Sequence, residues 1–332
     1  MDKKYELLKD NTKIYKDRTL YRIRALRDIP NRFNPELSVS KGSLGGYIQS
    51  ENNLPQNDNS WVADNAMVFG LAELKDSWVA NTAKVYGGAK IYGTEVYGNS
   101  YIAGEGEVVV ISSKVIGDSK IDSVNGYIKD TVLEDKSRIS CCEAKVIDSK
   151  LKYSSILNYA VVISSVLEDN SYIEEYARVF KCNIKSSIIR GDANVINTSI
   201  SNNCVISDNA IVINSILDDN ATMNGNTLTI DTNISHDSHI HNTSFVASSR
   251  IKNTTITSSN EDFSDTLVKN TTISESNVLK GVVDSSLLEN VGDIVNAKVI
   301  NSKLKNVYNV ADDLVFDTNI DINKIVDFSA LI

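Results

Sequence analysis

The chain has 332 residues and a formal net charge of −9, and its residues are 42% hydrophobic but only 7% aromatic. No run of about 18 apolar residues occurs, which excludes a membrane-spanning helix, and the charged start MDKKYELLKD lacks the apolar stretch of a signal peptide. Many aliphatic residues with Asn, Ser, Asp and Thr between them are typical of a thin, repetitive core. We therefore expect a repeat protein that is made in the cytoplasm.

Charge is distributed unevenly along the chain. Residues 1–41 contain 11 Lys or Arg and 6 Asp or Glu, a net charge of +5, so the remainder carries −14. A basic end beside an acidic remainder favours an acidic partner or head-to-tail contacts between copies. The alternative is two separately solvated surfaces, because surface charge alone is a weak signal.

Residues 1–60 do not follow the repeat that fills the rest of the chain. Segments rich in β-forming residues predict two or three antiparallel strands: Tyr5–Leu8, Lys13–Tyr15 and Thr19–Asp28. Asp10-Asn11 and Lys16-Asp17 are turn signals between them. We predict that these strands form a small cap, since an uncovered strand edge of the first repeat would pair with another chain.

From Trp61 an aliphatic residue recurs about every six positions, a step that fits neither the 3.6-residue period of a helix nor the 2.0-residue period of a plain strand. Over residues 61–101 these positions are Val62, Val68, Leu74, Val79, Val85, Ile91 and Val96. A small residue follows most of them four positions later, at Ala66, Ala72, Ala83, Ala89 and Ser100. The pattern predicts short strands and tight corners around a narrow triangular core, and it resembles the hexapeptide repeat of left-handed parallel β-helices.

The longer period is a coil of about 17 residues. AVVISSVLEDNSYI at 160–173 aligns with AIVINSILDDNATM at 210–223, an offset of 50 residues, or three coils. All three prolines precede the repeats, as expected if nearly every backbone N–H is needed by the next coil. We predict an all-β fold: a cap over 1–60, a single-stranded left-handed parallel β-helix (a β-solenoid) of about 15 to 16 coils over 61–327, and a C-terminal cap over 328–332. Ile200 and Cys204 are predicted to point into the core.

Three motifs follow one another from the N-terminal segment into the first repeats: RALRD, GSLGGYIQSENNL and SWVADNAMVFG. Together they resemble the N-terminal region of the YdcK-like hexapeptide-repeat proteins of bacteria and of phages or prophages, over about residues 20–105. The resemblance implies a left-handed β-helix with an N-terminal β cap, made in a bacterial cytoplasm or, for a phage protein, in that of its host. These proteins are often described as acyltransferases, a description that rests on the repeat itself.

The histidines of the chain are His236, His239 and His241. Hexapeptide acyltransferases generally use a histidine as general base, so these three are the catalytic candidates under that hypothesis, with acetyl-CoA as the cofactor. His239 and His241 share a face by strand alternation. They are otherwise a metal pair or plain surface histidines. No metal site is assigned, because zinc takes three or four ligands and no Cys or Glu cluster lies nearby in sequence.

Three acidic pairs follow an aliphatic residue and Leu at corresponding places in the repeat: Glu134-Asp135, Glu168-Asp169 and Asp218-Asp219. Their offsets of 34 and 50 residues equal two and three coils, so they are predicted to line one edge. One interpretation is an acidic interaction ridge for a basic protein surface or for hard cations. The other is corner chemistry, because Asp, Asn and Glu are favoured in exposed turns.

The long array and the scarcity of catalytic groups favour a non-catalytic β-solenoid scaffold or protein-interaction module that acts through its surface and has no cofactor. The expected partner is another protein or a second copy, in a homodimer or homotrimer, and neither a membrane nor direct nucleic-acid binding is expected. The first alternative is a CoA-dependent O- or N-acyltransferase. The second is an acidic decoy that blocks a nucleic-acid-binding protein, which would need a denser charge ladder than three pairs.

Overall fold

The computed structural model describes residues 3–123, 125–141, 143–235, 238–241 and 245–247, and beyond them a series of separate strands. The chain divides into two compact units, Met1–Asn170 and Ser171–Ile332, each built from short strands. The helices among the described residues are two short 3₁₀ helices, Pro35–Leu37 and Glu51–Asn53. The predicted all-β fold is confirmed, as a solenoid of stacked parallel coils.

The predicted antiparallel strands near the N-terminus are also confirmed. β1 (Tyr5–Tyr15) and β2 (Arg18–Ala25) form a hairpin, and β3 (Leu44–Ile48) pairs antiparallel with β2. β3 also pairs in parallel with Met67–Val68, a strand of the first coil. The cap strands therefore continue a sheet of the solenoid and cover its first edge. The bounds 1–60 and 61–327 stay predictions, and 328–332 lie outside the described residues.

One of the two predicted turns in this hairpin is wrong. Lys16 and Asp17 do form the two-residue turn, and both have positive φ (49° and 57°), as a type I′ turn requires. Asp10 and Asn11 instead lie within β1, where the pairing with β2 is irregular between Leu8 and Thr12. Polar residues that favour turns also occupy bulges, and here the long partner strand keeps the chain extended on both sides.

Three ladders of parallel strands form the coils of the N-terminal unit. The first ladder contains Met67–Val68, Lys84–Tyr92, Tyr101–Ile111, Lys120–Ser123, Arg138–Cys141 and Ser155–Asn158. The second contains Glu73–Lys75, the later halves of Lys84–Tyr92 and Tyr101–Ile111, then Asn125–Lys129, Glu143–Ile147 and Val161–Ile163. The third contains Trp61–Val62, Trp78–Val79, Glu95–Val96, Lys114–Val115, Val132–Glu134, Lys150–Lys152 and Val166–Glu168.

The C-terminal unit repeats this arrangement. The first of its ladders contains Tyr172–Ile173, Ile188–Ile189, Val205–Ile206, Thr222–Met223, His239–His241 and Thr255–Thr257. The second contains Arg178–Phe180, Asn194–Ile196, Ile211–Ile213, Leu228–Ile230 and Phe245–Ala247. The third contains Asn183–Lys185, Ser199–Ile200, Ile216–Leu217, Asn233–Ser235 and Arg250–Lys252. Three further sets of parallel strands follow in the same unit. One contains Thr266–Lys269, Gly281–Asp284, Ala297–Ile300 and Leu314–Phe316. Another contains Thr272–Ser274, Leu287–Glu289, Lys303–Lys305 and Asn319–Asp321, and the last is the pair Asp293–Val295 and Asn309–Ala311.

The aliphatic residues of the six-residue step point inward, as predicted. All seven over residues 61–101 are buried, and so are Ile200 and Cys204 in the C-terminal unit. Burying such a side chain contributes about 1.5–3 kcal/mol before the cost in conformational entropy. Coil length varies more than the sequence pattern suggests, because the step from Trp61 to its partner Trp78 is shorter than the step from Glu95 to its partner Lys114. The difference in coil length is accommodated at the corners between strands.

A chain of buried hydroxyls connects the corners that precede the third ladder. Ser60 Oγ accepts a hydrogen bond from the backbone N–H of Ser77 (3.1 Å), and Ser77 Oγ accepts one from that of Thr94 (3.2 Å). Thr94 Oγ1 and Ser113 Oγ continue the pattern toward Ser113 and Thr131 (both 3.2 Å). Each side chain thus supplies the acceptor for a corner N–H that would otherwise be buried without a partner.

Candidate functional site

The end of the β1–β2 hairpin folds over the outer face of the first ladder. Leu20 of β2 is buried against Met67 and Phe69, which lie on that face. The ring of Tyr15, beside the hairpin turn, contacts Phe69 edge-on, with ring centroids 5.5 Å apart. The apolar contact therefore fixes the basic tip of the hairpin above the solenoid surface.

Aromatic rings continue from this contact along the first ladder. Phe69 stacks on Tyr86 with 4.9 Å between centroids and 5° between planes. Tyr101, one coil further, lies 6.3 Å from Tyr86. Stacked and edge-on pairs of this kind each contribute about 0.5–1.5 kcal/mol beyond the area that they bury. The rings therefore form a continuous column on the outside of the unit.

Cations cover these rings. The ammonium of Lys16 lies 4.1 Å from the ring centroid of Tyr86, and that of Lys120 lies 5.5 Å from that of Tyr101. The remaining cations of this surface are Lys84 over Tyr15, Lys13 and Arg22 over Tyr47, Arg18 next to the hairpin turn, and Arg138 in register with Lys120. We call these seven cations, with Tyr15, Tyr47, Tyr86 and Tyr101, the basic aromatic face.

The cations of the basic aromatic face have no carboxylate partner within the part of the chain that the structure describes. The salt bridges there involve other basic residues, for example Lys90 with Glu107 at 2.8 Å. A hydrogen-bonding interaction with the Tyr86 phenol raises the pKa of Lys16. Burial, followed by the charge of Asp122, raises the pKa of Tyr101. The lysine is therefore charged and the tyrosine neutral at ordinary pH.

A groove of about 830 Å³ lies beside this face. Its lining includes Lys16, Arg18 and Tyr86 of this face, the two carboxylates of Glu73 and Glu107, and a set of glycines from successive coils: Gly70, Gly87, Gly88, Gly104 and Gly106. Gly87 has a φ of 74°, and a Cβ there would lie 2.1 Å from the carbonyl oxygen of Gly104. Glycine is thus required for the coils to stack, and the lack of side chains leaves an open groove.

A second cleft, of about 1060 Å³, is lined mainly by polar residues including Arg32, Glu73 and Asp76. Asp58 in its wall accepts hydrogen bonds from Lys4 Nζ (3.0 Å) and from the Asp76 N–H (2.8 Å). Burial acts to raise the pKa of Asp58, but hydrogen bonds from Ser60 and Asp76 and the charge of Lys4 outweigh it and lower that pKa. These hydrogen bonds give Asp58 a structural role in the fold.

The structure places one of the three candidate histidines in detail. His239 lies in a strand next to the buried Ile240, so its ring points outward, and its Nδ1 lies 2.6 Å from the hydroxyl of Thr222 on the neighbouring coil. His236 and the side chain of His241 lie outside the described residues. Neither the groove nor the cleft described above contains a histidine.

The acidic pairs lie at corners of the solenoid. Asp135, Asp169 and Asp219 all have φ between 50° and 61°, a region that Asp and Asn tolerate better than most residues. In the N-terminal unit Lys152 pairs in register with Glu134, so a cation follows the first acidic pair one coil later. The acidic ridge as an interaction surface stays a prediction.

The described cysteines are not placed for chemistry. Cys182 and Cys204 are buried thiols, and burial raises their pKa to about 11 and about 12. Both are therefore protonated and unreactive at neutral pH, as expected of the core position predicted for Cys204. In the same described part of the chain, no three or more His, Cys, Asp or Glu side chains are grouped as metal ligands would be.

The fold defines the chain as a parallel β-solenoid, consistent with a hexapeptide-repeat β-helix. Compared with known proteins, the chain matches no family model and no curated protein. Within the described residues, no helix is long and apolar enough to cross a membrane. The resemblance to YdcK-like proteins stays a prediction.

Proposed function

We propose that the protein is a non-catalytic β-solenoid scaffold or interaction module that recognises a partner through the basic aromatic face. One observation carries the proposal: cations held on tyrosine rings, without a carboxylate partner among the described residues. Tyrosine and arginine are enriched where proteins bind one another, and a local excess of positive charge accelerates encounter with acidic partners.

The solenoid gives this face the rigidity that recognition needs. Lys84, Tyr101 and Lys120 occupy equivalent positions on successive strands of the first ladder, so their Cα atoms are about 4.8 Å apart from coil to coil. The buried contact of Leu20 with Phe69 holds the hairpin tip beside them. A preorganised surface loses less conformational entropy on binding than a flexible one.

No cofactor enters this function, and a cytoplasmic location and a bacterial or phage origin remain part of the proposal.

Site-specific photo-crosslinking in cells of the natural source tests this function. With p-benzoylphenylalanine in place of Tyr86, we expect a discrete crosslinked product, because this ring lies in the basic aromatic face. The same residue in place of Tyr153, an exposed tyrosine at a corner of the same unit, serves as the matched control and is expected to give none. Equal products at both positions, or none at Tyr86, would contradict the proposal.

A second candidate function is the CoA-dependent acyltransferase. The observation that favours it is the 2.6 Å contact between Thr222 and His239, because a hydroxyl hydrogen-bonded to an imidazole is the arrangement that general-base catalysis uses. The same contact serves equally to hold two coils together. The imidazole also lies outside both the groove and the cleft of the N-terminal unit.

Thermal unfolding with acetyl-CoA separates the two functions. A ligand at about 100 times its dissociation constant stabilises a protein by about 2.7 kcal/mol. We expect acetyl-CoA at about 1 mM to leave the unfolding midpoint of the protein unchanged. A rise in the midpoint that is lost in the His239→Ala variant, and retained in a Thr255→Ala variant on the neighbouring strand, would favour the acyltransferase instead.

A further inference from the structure

We propose that the basic aromatic face binds an acidic polypeptide segment, a short run of Asp or Glu in a partner protein. This inference rests on the proposed function and gives its partner a chemical class. Its starting point is the contrast between two groups of lysines in the N-terminal unit. Lys90, Lys114 and Lys150 each have a carboxylate within 4 Å, whereas the lysines of the basic aromatic face have none among the described residues.

The local charge of this face is strongly positive. Its seven cations are Lys13, Lys16, Arg18, Arg22, Lys84, Lys120 and Arg138. Asp17 and Asp122 are close to them in the chain, and neither forms a salt bridge with them. Lys16, Arg18 and Lys120 of this face are exposed. Carboxylates supplied by another chain would pair with these exposed cations.

The rings favour a peptide over a single-stranded nucleic acid. Binding without sequence preference to a single strand needs aromatic faces on which bases can stack. Phe69 already stacks on Tyr86, and Lys16 and Lys120 lie over the rings of Tyr86 and Tyr101. The stacking positions are thus occupied by the protein's own groups, while the ammonium groups remain at the surface.

The spacing of the cations suits an extended peptide. Lys84, Tyr101, Lys120 and Arg138 occupy equivalent positions on four successive strands, so the first and last are about 14 Å apart. An extended chain advances about 3.3 Å per residue, and four or five residues therefore span the distance. Lys16 at the hairpin tip extends the positive surface at the end nearer the cap.

The test measures binding of a fluorescein-labelled peptide of about ten glutamates by fluorescence anisotropy, at about 50 mM salt where surface charges are weakly screened. The variant K16A/K84A/K120A removes three cations of the face. The matched control, K114A/K136A/K150A, removes three lysines near the third ladder of the same unit. We expect the face variant to bind at least about tenfold more weakly and the control to bind like the unaltered protein.

A single substitution at an exposed residue provides a variant that is expected to fold like the unaltered protein. Lys120 is exposed, and K120E is expected to weaken binding about threefold without changing the thermal midpoint. Equal binding by the unaltered protein, K120E and the triple face variant would overturn the inference. So would tighter binding of an oligothymidylate of about ten nucleotides through the same lysines, which would make the partner a nucleic acid.

The two proposals fail in different ways. If photo-crosslinking at Tyr86 gives its product but the glutamate peptide does not bind, the interaction module stands and the acidic partner is wrong. If the peptide binds through the three lysines but no crosslinked product forms at Tyr86 in cells, the charged surface is real and its role as the recognition face is wrong.

Discussion

Replacing Ile200 with aspartate is expected to lower the free energy of unfolding of the C-terminal unit by about 4–5 kcal/mol. Ile200 is 1% exposed and pairs in register with Ile184 on one side and Leu217 on the other. A carboxylate at this position would lie in an aliphatic core with no hydrogen-bond donor supplied for it. Urea unfolding followed by circular dichroism measures the change.

The neighbouring residue provides the control for this substitution. Ser199 precedes Ile200 in the same short strand but is exposed, so Ser199→Asp adds the same charge on the outer face. We expect this change to alter the unfolding free energy by less than about 0.5 kcal/mol. Equal unfolding midpoints for the two variants would contradict the inward orientation of Ile200, on which the whole coil assignment depends.

Replacing Asp58 with alanine is expected to lower the free energy of unfolding by about 3–5 kcal/mol, the usual effect of removing one partner of a buried ion pair. Lys4 is fully buried, and its ammonium contacts Asp58 Oδ1 at 3.0 Å and the Ser60 carbonyl at 2.9 Å. Burial is the main reason that the pKa of Lys4 is lowered. Without the carboxylate the ammonium would lie buried and uncompensated.

A nearby exposed ion pair is the control for Asp58→Ala. Lys3 and Glu51 are 3.1 Å apart but 62% and 44% exposed, and Glu51→Ala is expected to cost less than about 1 kcal/mol. A Lys4→Met change combined with Asp58→Ala should recover part of the loss, because it removes the unpaired charge. If Asp58→Ala costs no more than Glu51→Ala, the buried pair does not stabilise the start of the solenoid.

The same pair gives the unfolding free energy a defined dependence on pH. The folded-state pKa of Asp58 is lowered, so its contribution is present above the ordinary carboxyl pKa of about 4 and is lost as the pH falls through the folded value. Asp58→Asn should be less stable at neutral pH and should lose less stability between neutral pH and the acid range. Measurements of the unfolding midpoint at several pH values would show this difference.

The core could be predicted from the sequence because its signal is local. Val62, Val68 and Leu74 are separated by one corner each, and a step of six residues is incompatible with the other regular structures. The sequence could not distinguish a bulge from a turn at Asp10 and Asn11, because the pairing of β1 with β2 decides between them. That pairing depends on strand length and register rather than on the two polar residues themselves.

The basic aromatic face could not be recognised from the sequence, because its members meet only through the coil register. The step from Lys84 to Tyr101 is shorter than the step from Tyr101 to Lys120, so a fixed period does not align the three residues. The contact of Tyr15 with Phe69 joins two segments that are far apart in the chain. The sequence contains one visible signal of this face, the net charge of +5 over residues 1–41.

The acidic pairs show that a regular spacing in the sequence can be found correctly and still be interpreted incompletely. The regular spacing from Glu134 to Glu168 is visible in the sequence, and so is Lys152, which occupies the corresponding place one coil after Glu134. An interpretation based on the acidic residues alone omits the cation that interrupts them. The positive φ values of Asp135 and Asp169 supply a backbone reason for acidic residues at these corners.

The buried hydroxyls at the corners have a consequence for how such a chain can change its length. Ser77 donates its backbone N–H to Ser60 on one neighbouring coil, and its hydroxyl accepts from Thr94 on the other. A tandem duplication of one such interval would insert a coil whose upper and lower contacts are already correct. In-frame duplication or loss of one such interval would therefore lengthen or shorten the N-terminal unit by one whole coil while the corner hydrogen bonds are kept.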